Sequence, residues 1–188
     1  MSNQFHKVME ECPVIAAVKD YEGLHRCLQS ECKIIFVLFG DICSIREIVS
    51  TIKDKGHIAI VHMDLINGLA AKEVSVDFLR SNTEADGIIS TKHSLIKRAK
   101  ELGLFTVFRF FVIDSMAIDN IKKQCETASP DFIEIIPGVM PKVIKRICSM
   151  SSVPVIAGGL ISDKEDVMAA LAAGAISIST TNQEVWFM

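Results

Sequence analysis

The chain lacks the segments that mark secreted, membrane-spanning or disordered proteins. Its first residues, MSNQFHKVMEECPV, contain no apolar stretch after a basic start, as a secretory signal peptide would. No apolar run reaches the roughly 20 residues of a membrane-spanning helix, and no low-complexity tract interrupts the sequence. Because 49% of the 188 residues are hydrophobic, one sizeable core is possible. We therefore expect a cytoplasmic protein with one domain over residues 1–188.

A strong net charge and paired cysteines are also missing. The formal net charge of −3 gives no overall electrostatic reason to expect a nucleic acid or membrane partner, although it leaves room for a local basic patch. No C-x-x-C pair occurs, and most cysteines lie in apolar stretches, so we expect reduced, buried thiols. The six cysteines are Cys12, Cys27, Cys32, Cys43, Cys125 and Cys148.

Eight short apolar runs recur along the chain. They are rich in β-branched or aromatic residues, nearly continuous and of strand length, which is typical of parallel strands buried on both faces. The runs cover residues 13–18, 34–39, 58–63, 87–91, 105–112, 132–137, 153–157 and 175–180.

Amphipathic segments with helix signals separate these runs. Ser44–Glu47 and Ser162–Glu165 have the spacing of a capping box, and the two helices that they open are predicted to end at Gly56 and Gly174. Further helices are predicted over 93–102, over 114–128 and from Pro141. The alternation predicts a compact (β/α)8 TIM barrel with a short terminal helix over 182–187. An open doubly wound sheet is the alternative, although six strands would suit it better than eight.

Polar residues are concentrated where the predicted strands end, which is where barrels of this kind carry their function. Because side chains alternate along a strand, His62 and Asp64 are expected on one side of the third strand, over the barrel mouth. Both are possible metal ligands, but no third ligand is evident, so no metal site is expected. The candidate ligand-binding residues are Lys19, His62, Asp64, Lys92, Arg109, Glu134, Gly138, Gly158, Gly159, Ser179, Thr180 and Thr181.

The most specific pattern among them is a pair of glycines after the seventh run and hydroxyl residues after the eighth. Gly158 and Gly159 would let backbone N–H groups approach a ligand closely, and Ser179–Thr181 would donate further hydrogen bonds. The amino end of the short terminal helix over 182–187 would favour an anion. Together these features predict a phosphate site.

Several roles stay open. Glu134, within an apolar run, needs a cation partner or a raised pKa; Arg109 is the natural partner, as a structural ion pair or as part of a ligand site. His62 would serve as a general base, a ligand donor or a structural histidine, and Lys19 and Lys92 as anion binders or Schiff-base lysines. No assembled catalytic set is visible, and no cofactor is expected.

The segment 65–73 is long for a connection and contains Gly68. It would act either as a lid over the barrel mouth or as a slack connection.

Several segments together resemble the glycerol uptake operon antiterminator family, over nearly the whole chain. They are PVIAAVKD at 13–20, FGDI at 39–42, HMDLINGL at 62–69, GIISTK at 87–92, EIIPG at 134–138, AGGLI at 157–161, STT at 179–181 and VWF at 185–187.

The resemblance implies a regulator that responds to glycerol 3-phosphate and prevents termination at the leader mRNA of a glycerol-catabolism operon. It implies one small phosphorylated effector and no further cofactor. Gly158, Gly159, Thr180 and Thr181 would then hold the phosphate. The hydroxyl end of the effector would be bound by Lys19, His62, Asp64, Arg109 and Glu134, or these residues would order the barrel mouth.

The RNA-binding surface is the part of this hypothesis that the residues indicate least. The candidate basic residues are Lys97, Arg98, Lys142, Lys145 and Arg146, although the pattern of each cluster favours a solvated helix face over an RNA contact. Several protomers of a homo-oligomer would have to combine their patches. Two other functions remain: a lyase or isomerase acting on a small phosphorylated metabolite, and a barrel that acts only through protein partners.

Overall fold

The computed structural model describes residues 2–188, with the side chains of Phe5 and of residues 7–188. Eight strands alternate with helices along the chain. The strands are β1 (Val14–Val18), β2 (Ile34–Val37), β3 (Ile58–His62), β4 (Gly87–Ser90), β5 (Phe105–Phe111), β6 (Phe132–Ile136), β7 (Val155–Gly158) and β8 (Ser177–Thr180). The helices are α1 (Ser2–Glu11), α2 (Tyr21–Cys27), α3 (Ile45–Asp54), α4 (Glu73–Asn82), α5 (His93–Glu101), α6 (Ser115–Ala128), α7 (Pro141–Met150) and α8 (Lys164–Ala172).

The strands form a closed parallel barrel. Each strand pairs with the next along the chain, and β8 pairs with β1, so the sheet has no free edge. The prediction of a (β/α)8 TIM barrel is therefore confirmed, and the eight apolar runs lie within two residues of the observed strands. The helices α1, α2 and α4 were not identified from sequence, although Phe5 and Met9 of α1 have the spacing of one helical face.

The amino-terminal end of the barrel interior is apolar and covered by α1. Phe5 of this helix stacks on Phe105 of β5, and Met9 packs into the same cluster of inward-facing side chains. Ile34 and Phe132, from β2 and β6, also belong to this cluster. The lower half of the barrel is thus a packed core, and any ligand must enter from the carboxyl end of the strands.

Two predicted helix starts differ from the structure. The side chain of Ser44 caps no helix, because its hydroxyl donates to the Asp41 carboxylate instead. The cap of α8 lies one residue later than predicted: Asp163 accepts a hydrogen bond from the N–H of Asp166, whose carboxylate reaches back to the N–H of Ser162. Asp is as good a cap as Ser, so the sequence is compatible with a helix start at either Ser162 or Asp163.

The predicted terminal helix over 182–187 is wrong in length. Only Val185–Phe187 is helical, as one turn of 3₁₀ helix. Asn182 holds a side-chain turn by accepting from the N–H of Glu184, and the indole of Trp186 donates to the carbonyl of Thr180. One turn of this kind offers no helix terminus to an anion, so a phosphate site must be built from other groups.

The six cysteines are free thiols. Cys27, Cys32 and Cys125 are buried as expected, Cys12 and Cys148 are half-buried, and Cys43 is exposed, which corrects the expectation for that residue. Within residues 2–188, no helix combines the length and the apolar character that crossing a bilayer requires.

Candidate functional site

A cavity of about 440 Å³ opens at the carboxyl ends of the strands. Its floor comes from side chains of β1, β5 and β6 and from Leu38, which directly follows β2. Its wall comes from the end of β8 and the connections after β7 and β8. The residues around it are Ala17, Leu38, Arg109, Glu134, Ile136, Gly159, Leu160, Ile161, Ser162, Ser179, Thr180, Thr181 and Asn182. The sequence predicted a ligand site at this end of the barrel, and six of the candidate residues surround the cavity.

A buried carboxylate organises the floor of the cavity. Glu134 is 0% exposed, and its two oxygens have different partners. Oε2 accepts from Nε of Arg109 at 2.5 Å, on the neighbouring strand, and Oε1 accepts from the hydroxyl of Ser179 at 2.5 Å, on β8, two strands further around the barrel. A buried charge needs such pairing to be tolerated, so the ion pair expected from the sequence does form.

The Arg109 guanidinium is only partly committed to this pair. Its side chain is 10% exposed, and only Nε is hydrogen-bonded within the described part of the chain. Arg109 lines the cavity, so its two terminal nitrogens are available to a ligand. A guanidinium keeps its charge and can bind an anion through a planar pair of N–H groups. The two roles that the sequence left open for Arg109 are therefore compatible, because Glu134 orients the head that faces the cavity.

Gly158 is required by the packing of the network. A Cβ at this position would lie 2.5 Å from Oε1 of Glu134 and 2.6 Å from Oγ of Ser179. Gly138 has a similar constraint, because its Cβ would lie 2.8 Å from the backbone nitrogen of Gly158. These glycines let β6, β7 and β8 approach one another, which is a different reason for glycine from contact with a ligand.

The turn after β7 and the residue after β8 offer unpaired backbone donors. Within the described residues, the N–H groups of Gly159, Leu160 and Thr181 donate to no protein acceptor. Gly159 and Leu160 both have positive φ, of 75° and 62°, which is unusual for a leucine and is typical of functional turns. All three residues line the cavity, so their N–H groups are candidates for an anion.

The hydroxyl groups of Ser179 and Thr180 have partners inside the protein. Ser179 donates to Glu134, and Thr180 donates to the carbonyl of Ile161 at 2.7 Å. Thr180 also accepts from the N–H of Asn182. Their side chains thus fix the wall of the cavity, and Thr181, which is exposed, is the hydroxyl residue of this group whose side chain is uncommitted.

His62 lies at the end of β3 and is 3% exposed. Its Nδ1 is buried and has no hydrogen-bond partner among the described residues. Burial, and then the positive charge of Arg109, lower the pKa of His62 to about 4, against a smaller opposing effect of Asp64. The imidazole is therefore neutral near pH 7. A buried nitrogen without a hydrogen bond costs free energy, and a hydrogen bond from Nδ1 to a ligand or a water molecule would remove that cost.

Asp64 does not share the orientation that the alternation of β3 predicted. The strand ends at His62, and Met63–Leu65 form a turn of 3₁₀ helix that redirects the chain. The Asp64 carboxylate accepts from the hydroxyl of Ser90 and from the N–H and hydroxyl of Thr91. These bonds lower its pKa despite an opposing effect of burial, which is the largest single contribution. Asp64 therefore orders the connection after β4.

The two candidate lysines stand at the rim. Lys19 and Lys92 are exposed, and the described residues include no hydrogen-bond or ion-pair partner for either ammonium group. Lys19 lies two residues beyond Ala17, which lines the cavity, whereas Lys92 precedes α5. The predicted RNA contacts Lys97, Arg98, Lys142, Lys145 and Arg146 lie outside the mouth, on α5 and α7.

The segment 65–73 is held more firmly than a slack connection. Asn67 bridges to the connection after β2: its carbonyl accepts from the N–H of Ile42, and its N–H donates to the carbonyl of Gly40. Ile66 is buried. A lid motion would have to break these bonds or be confined to residues after Asn67.

Seven residues around the cavity were not predicted from the sequence, among them the polar residues Ser162 and Asn182. Leu38 and Leu160 line the cavity, and neither carries a polar group that would have drawn attention. Only the positive φ of Leu160 distinguishes it, and a sequence gives no signal for that conformation. In the described residues, no group of three or more His, Cys, Asp or Glu side chains could hold a metal ion.

Comparisons with known proteins agree with this architecture. The family model described as glycerol-3-phosphate responsive antiterminator matches residues 14–186. The chain is 48% identical to the uncharacterized protein YgcP of Escherichia coli (strain K12), over 95% of this chain and 94% of that protein.

Two solved structures are similar in both sequence and fold. The glycerol uptake operon antiterminator regulatory protein of Listeria monocytogenes superposes with a TM-score of 0.90 at 31% identity, over 93% of this chain and 95% of its own. A glycerol uptake operon antiterminator-related protein of Thermotoga maritima gives 0.82 at 33% identity, over 92% and 96%. The family description and the name of the Listeria monocytogenes protein indicate a regulatory role. The chain therefore belongs to the family of glycerol-3-phosphate responsive antiterminators.

Proposed function

We propose that this protein binds glycerol 3-phosphate in the barrel mouth and thereby controls antitermination at the leader mRNA of a glycerol-catabolism operon. The observation that carries the proposal is the set of unpaired donors around one cavity. The N–H groups of Gly159, Leu160 and Thr181 lie on one wall, and the uncommitted nitrogens of Arg109 lie on the floor.

The phosphate is assigned to the wall after β7 and β8. Backbone N–H groups bind phosphate oxygens without a side chain that must be ordered first, and such sites are common at this position of the fold. The Thr181 hydroxyl can add a further hydrogen bond. Glycine at 159 allows the close backbone approach, and the hydroxyls of Ser179 and Thr180 hold the wall rigid.

The glycerol end is assigned to the polar groups deeper in the barrel. Arg109 presents donors, and His62, neutral near pH 7, has a buried nitrogen without a partner. Lys19 at the rim would add a positive charge for the dianionic phosphate. Mixed donors and acceptors at this depth suit a small polyol, and the apolar side chains of Leu38 and Ile136 limit its size.

A charge placed at the phosphate position tests the site. Thr181 is exposed, so Thr181→Asp should leave the fold intact and repel the phosphate, while Thr181→Asn has nearly the same shape without the charge. Calorimetric titration should show at least a tenfold loss of affinity for glycerol 3-phosphate in the Asp variant only, a minimum set by about 1.4 kcal/mol of repulsion. Equal affinities of the two variants would refute the assignment.

The regulatory output is tested with RNA. Binding of the leader RNA, measured with and without glycerol 3-phosphate, should differ in affinity, because a ligand shifts an equilibrium only if it favours one state. Glycerol and inorganic phosphate serve as control ligands. Equal RNA affinity in all conditions would contradict the proposal, as would turnover of glycerol phosphates or triose phosphates by the purified protein.

A further inference from the structure

The two basic clusters on the outer helices differ in how their charges are used. On α5, the Arg98 guanidinium pairs with Asp77 of α4 at 2.7 Å and with Glu101 at 3.0 Å. Lys100 donates to the carbonyl of Ser129 and pairs with Asp131 at 3.4 Å. The charges of Arg98 and Lys100 are largely neutralised in this way, which leaves Lys97 as the one lysine of α5 without an ion pair among the described residues.

The cluster on α7 has no such partners. Lys142, Lys145 and Arg146 are exposed, and none of them forms an ion pair within the described part of the chain. The helix itself, PKVIKRICSM, contains no acidic residue. Its three positive charges lie at spacings of three and four residues and therefore share one side of the helix.

Helix stability does not account for these charges. Lys142 stands in the first turn of α7, no acidic residue lies in that turn, and no basic residue lies in the last turn. The helix dipole favours the opposite arrangement, with acids at the start and bases at the end. A positive start costs a few tenths of a kcal/mol or more, so the charges need another explanation.

A groove beside α7 adds Lys122 to this surface, although Glu126 also lines it. It has a volume of about 450 Å³ and runs between the carboxyl ends of α6 and α7. Lys122 of α6 and Met150 of α7 line it, together with Ser151 and Ser152. Positions 142, 146 and 150 are four residues apart, so the row of Lys142 and Arg146 leads to the groove.

We infer that this surface, formed by Lys142, Lys145 and Arg146 with Lys122 at the groove, binds the phosphate backbone of RNA. The inference rests on the proposed function, because it assigns the surface through which the leader mRNA would be bound. An RNA backbone presents regularly spaced negative charges, and lysine and arginine contacts to them supply most of the affinity of many such complexes.

The composition of the face favours RNA over two other anionic partners. None of the large apolar side chains that are exposed in the described residues lies on α7. Membrane-surface helices place apolar residues beside their basic ones, and protein interfaces are usually centred on apolar or aromatic anchors. A basic face without such anchors fits a polyphosphate chain, which needs charge and hydrogen-bond donors rather than apolar area.

The test is a salt titration of leader-RNA binding by the full chain with glycerol 3-phosphate present. The triple variant Lys142→Ala, Lys145→Ala, Arg146→Ala should bind about ten- to a hundredfold more weakly at 0.1 M salt. Its plot of log affinity against log salt should be shallower by about 2, since each lost contact to a single strand removes about 0.7. The charge-retaining variant Lys142→Arg, Lys145→Arg, Arg146→Lys should bind like the wild type.

A matched control removes the same charge elsewhere. Lys33, Lys55 and Arg80 are exposed and lie among β2, α3 and α4, on other parts of the barrel, and none of them forms an ion pair in the described residues. The RNA affinity of their triple alanine variant should stay within about threefold of the wild-type value, because this variant changes only the net charge of the protein. Unchanged affinity for glycerol 3-phosphate would show that all variants are folded, and Lys145→Glu alone is the alternative if the triple variant is unstable.

The outcomes separate this inference from the proposed function. If the wild type binds RNA and the α7 variant keeps both its affinity and its salt slope, the inference is overturned and the proposed function stands. Equal losses in the α7 variant and the control would also overturn it. If the wild-type protein binds glycerol 3-phosphate but no RNA, or binds vesicles containing phosphatidylserine through α7 instead, both the inference and the RNA part of the proposed function fail.

Discussion

The two ends of the barrel interior have opposite chemistry, although the same eight strands form both. At the amino-terminal end, Phe5, Met9 and Phe105 fill the space and α1 covers it. At the carboxyl end, inward-facing positions are occupied by His62, Arg109, Glu134 and Ser179, and an open cavity replaces the packed core.

The difference shows how one fold separates stability from function. Apolar burial at the lower end contributes roughly 25 cal/mol per Å² and needs no specific partner. The upper end contains a buried carboxylate, a guanidinium and an unsatisfied imidazole nitrogen, each of which costs free energy unless it is paired or bound to a ligand. Changes at the two ends should therefore affect stability and ligand binding in different proportions.

The largest effect is expected from breaking the ion pair at the upper end. Glu134→Ala would leave Arg109 mostly buried without a counter-charge, which typically destabilises a protein by about 3–5 kcal/mol. It would also release the guanidinium and so abolish binding of glycerol 3-phosphate. Urea unfolding measures the first effect and calorimetric titration the second. Wild-type stability of Glu134→Ala would contradict the importance assigned to the network.

A lower-end substitution should destabilise the protein without changing binding. Phe105→Ala removes a ring that stacks on Phe5 and leaves a cavity, at a cost of about 3–5 kcal/mol. Because Phe105 lies far from the mouth along β5, the folded fraction should keep its affinity for glycerol 3-phosphate. Urea unfolding measures the loss of stability, and calorimetric titration at low temperature measures the affinity for glycerol 3-phosphate. A parallel loss of affinity would show that the two ends are coupled.

The pH dependence of stability should report His62. Its folded pKa of about 4 lies below the unfolded value of 6.5, so the unfolded state binds more protons between these values, and stability is lost as the pH falls from about 6.5 towards 4. The loss should be on the order of 2–3 kcal/mol. Asp64 acts at lower pH, because its pKa is lowered from the ordinary aspartate value of 3.8, despite the raising effect of burial.

The variant His62→Asn isolates that contribution. It should unfold with a flatter dependence on pH in this window, while His57, whose pKa is also lowered by burial, keeps its own effect in both proteins. Identical pH profiles of the wild type and His62→Asn would show that His62 does not titrate as inferred.

The smallest of the four effects on stability is expected at Gly158. Gly158→Ala would force a Cβ within 2.6 Å of Glu134 and Ser179, at a cost of about 1–3 kcal/mol for overpacking, with a tenfold or greater loss of ligand affinity. Gly103→Ala is the matched control, because nothing lies within 4 Å of its Cβ and only its φ of 71° is strained. The control should cost about 1 kcal/mol and leave binding unchanged. Similar binding by both variants would argue against the packing role of Gly158.

Sequence patterns of short range were sufficient for much of the fold. Continuous β-branched runs such as 34–39 predicted buried parallel strands, and the count of eight favoured closure. Patterns failed where two local solutions competed: Asp163 rather than Ser162 caps α8, and a 3₁₀ turn replaces the terminal helix. They also failed for α1, because its apolar face is buried only when the end of a closed barrel is present to pack against it.

The sequence by itself determined the order of strands and helices, the apolar lower core and the set of polar residues near the strand ends. It did so because each depends on the periodicity and side-chain chemistry of neighbouring residues. Only the tertiary structure decided how those polar residues are used: Asp64 orders a connection, Ser179 holds Glu134, and Gly158 makes room for both. The physical reason is that closing the barrel brings residues of β5, β6, β7 and β8 within hydrogen-bonding distance. No local sequence pattern indicates which of these residues will form hydrogen bonds or ion pairs with one another.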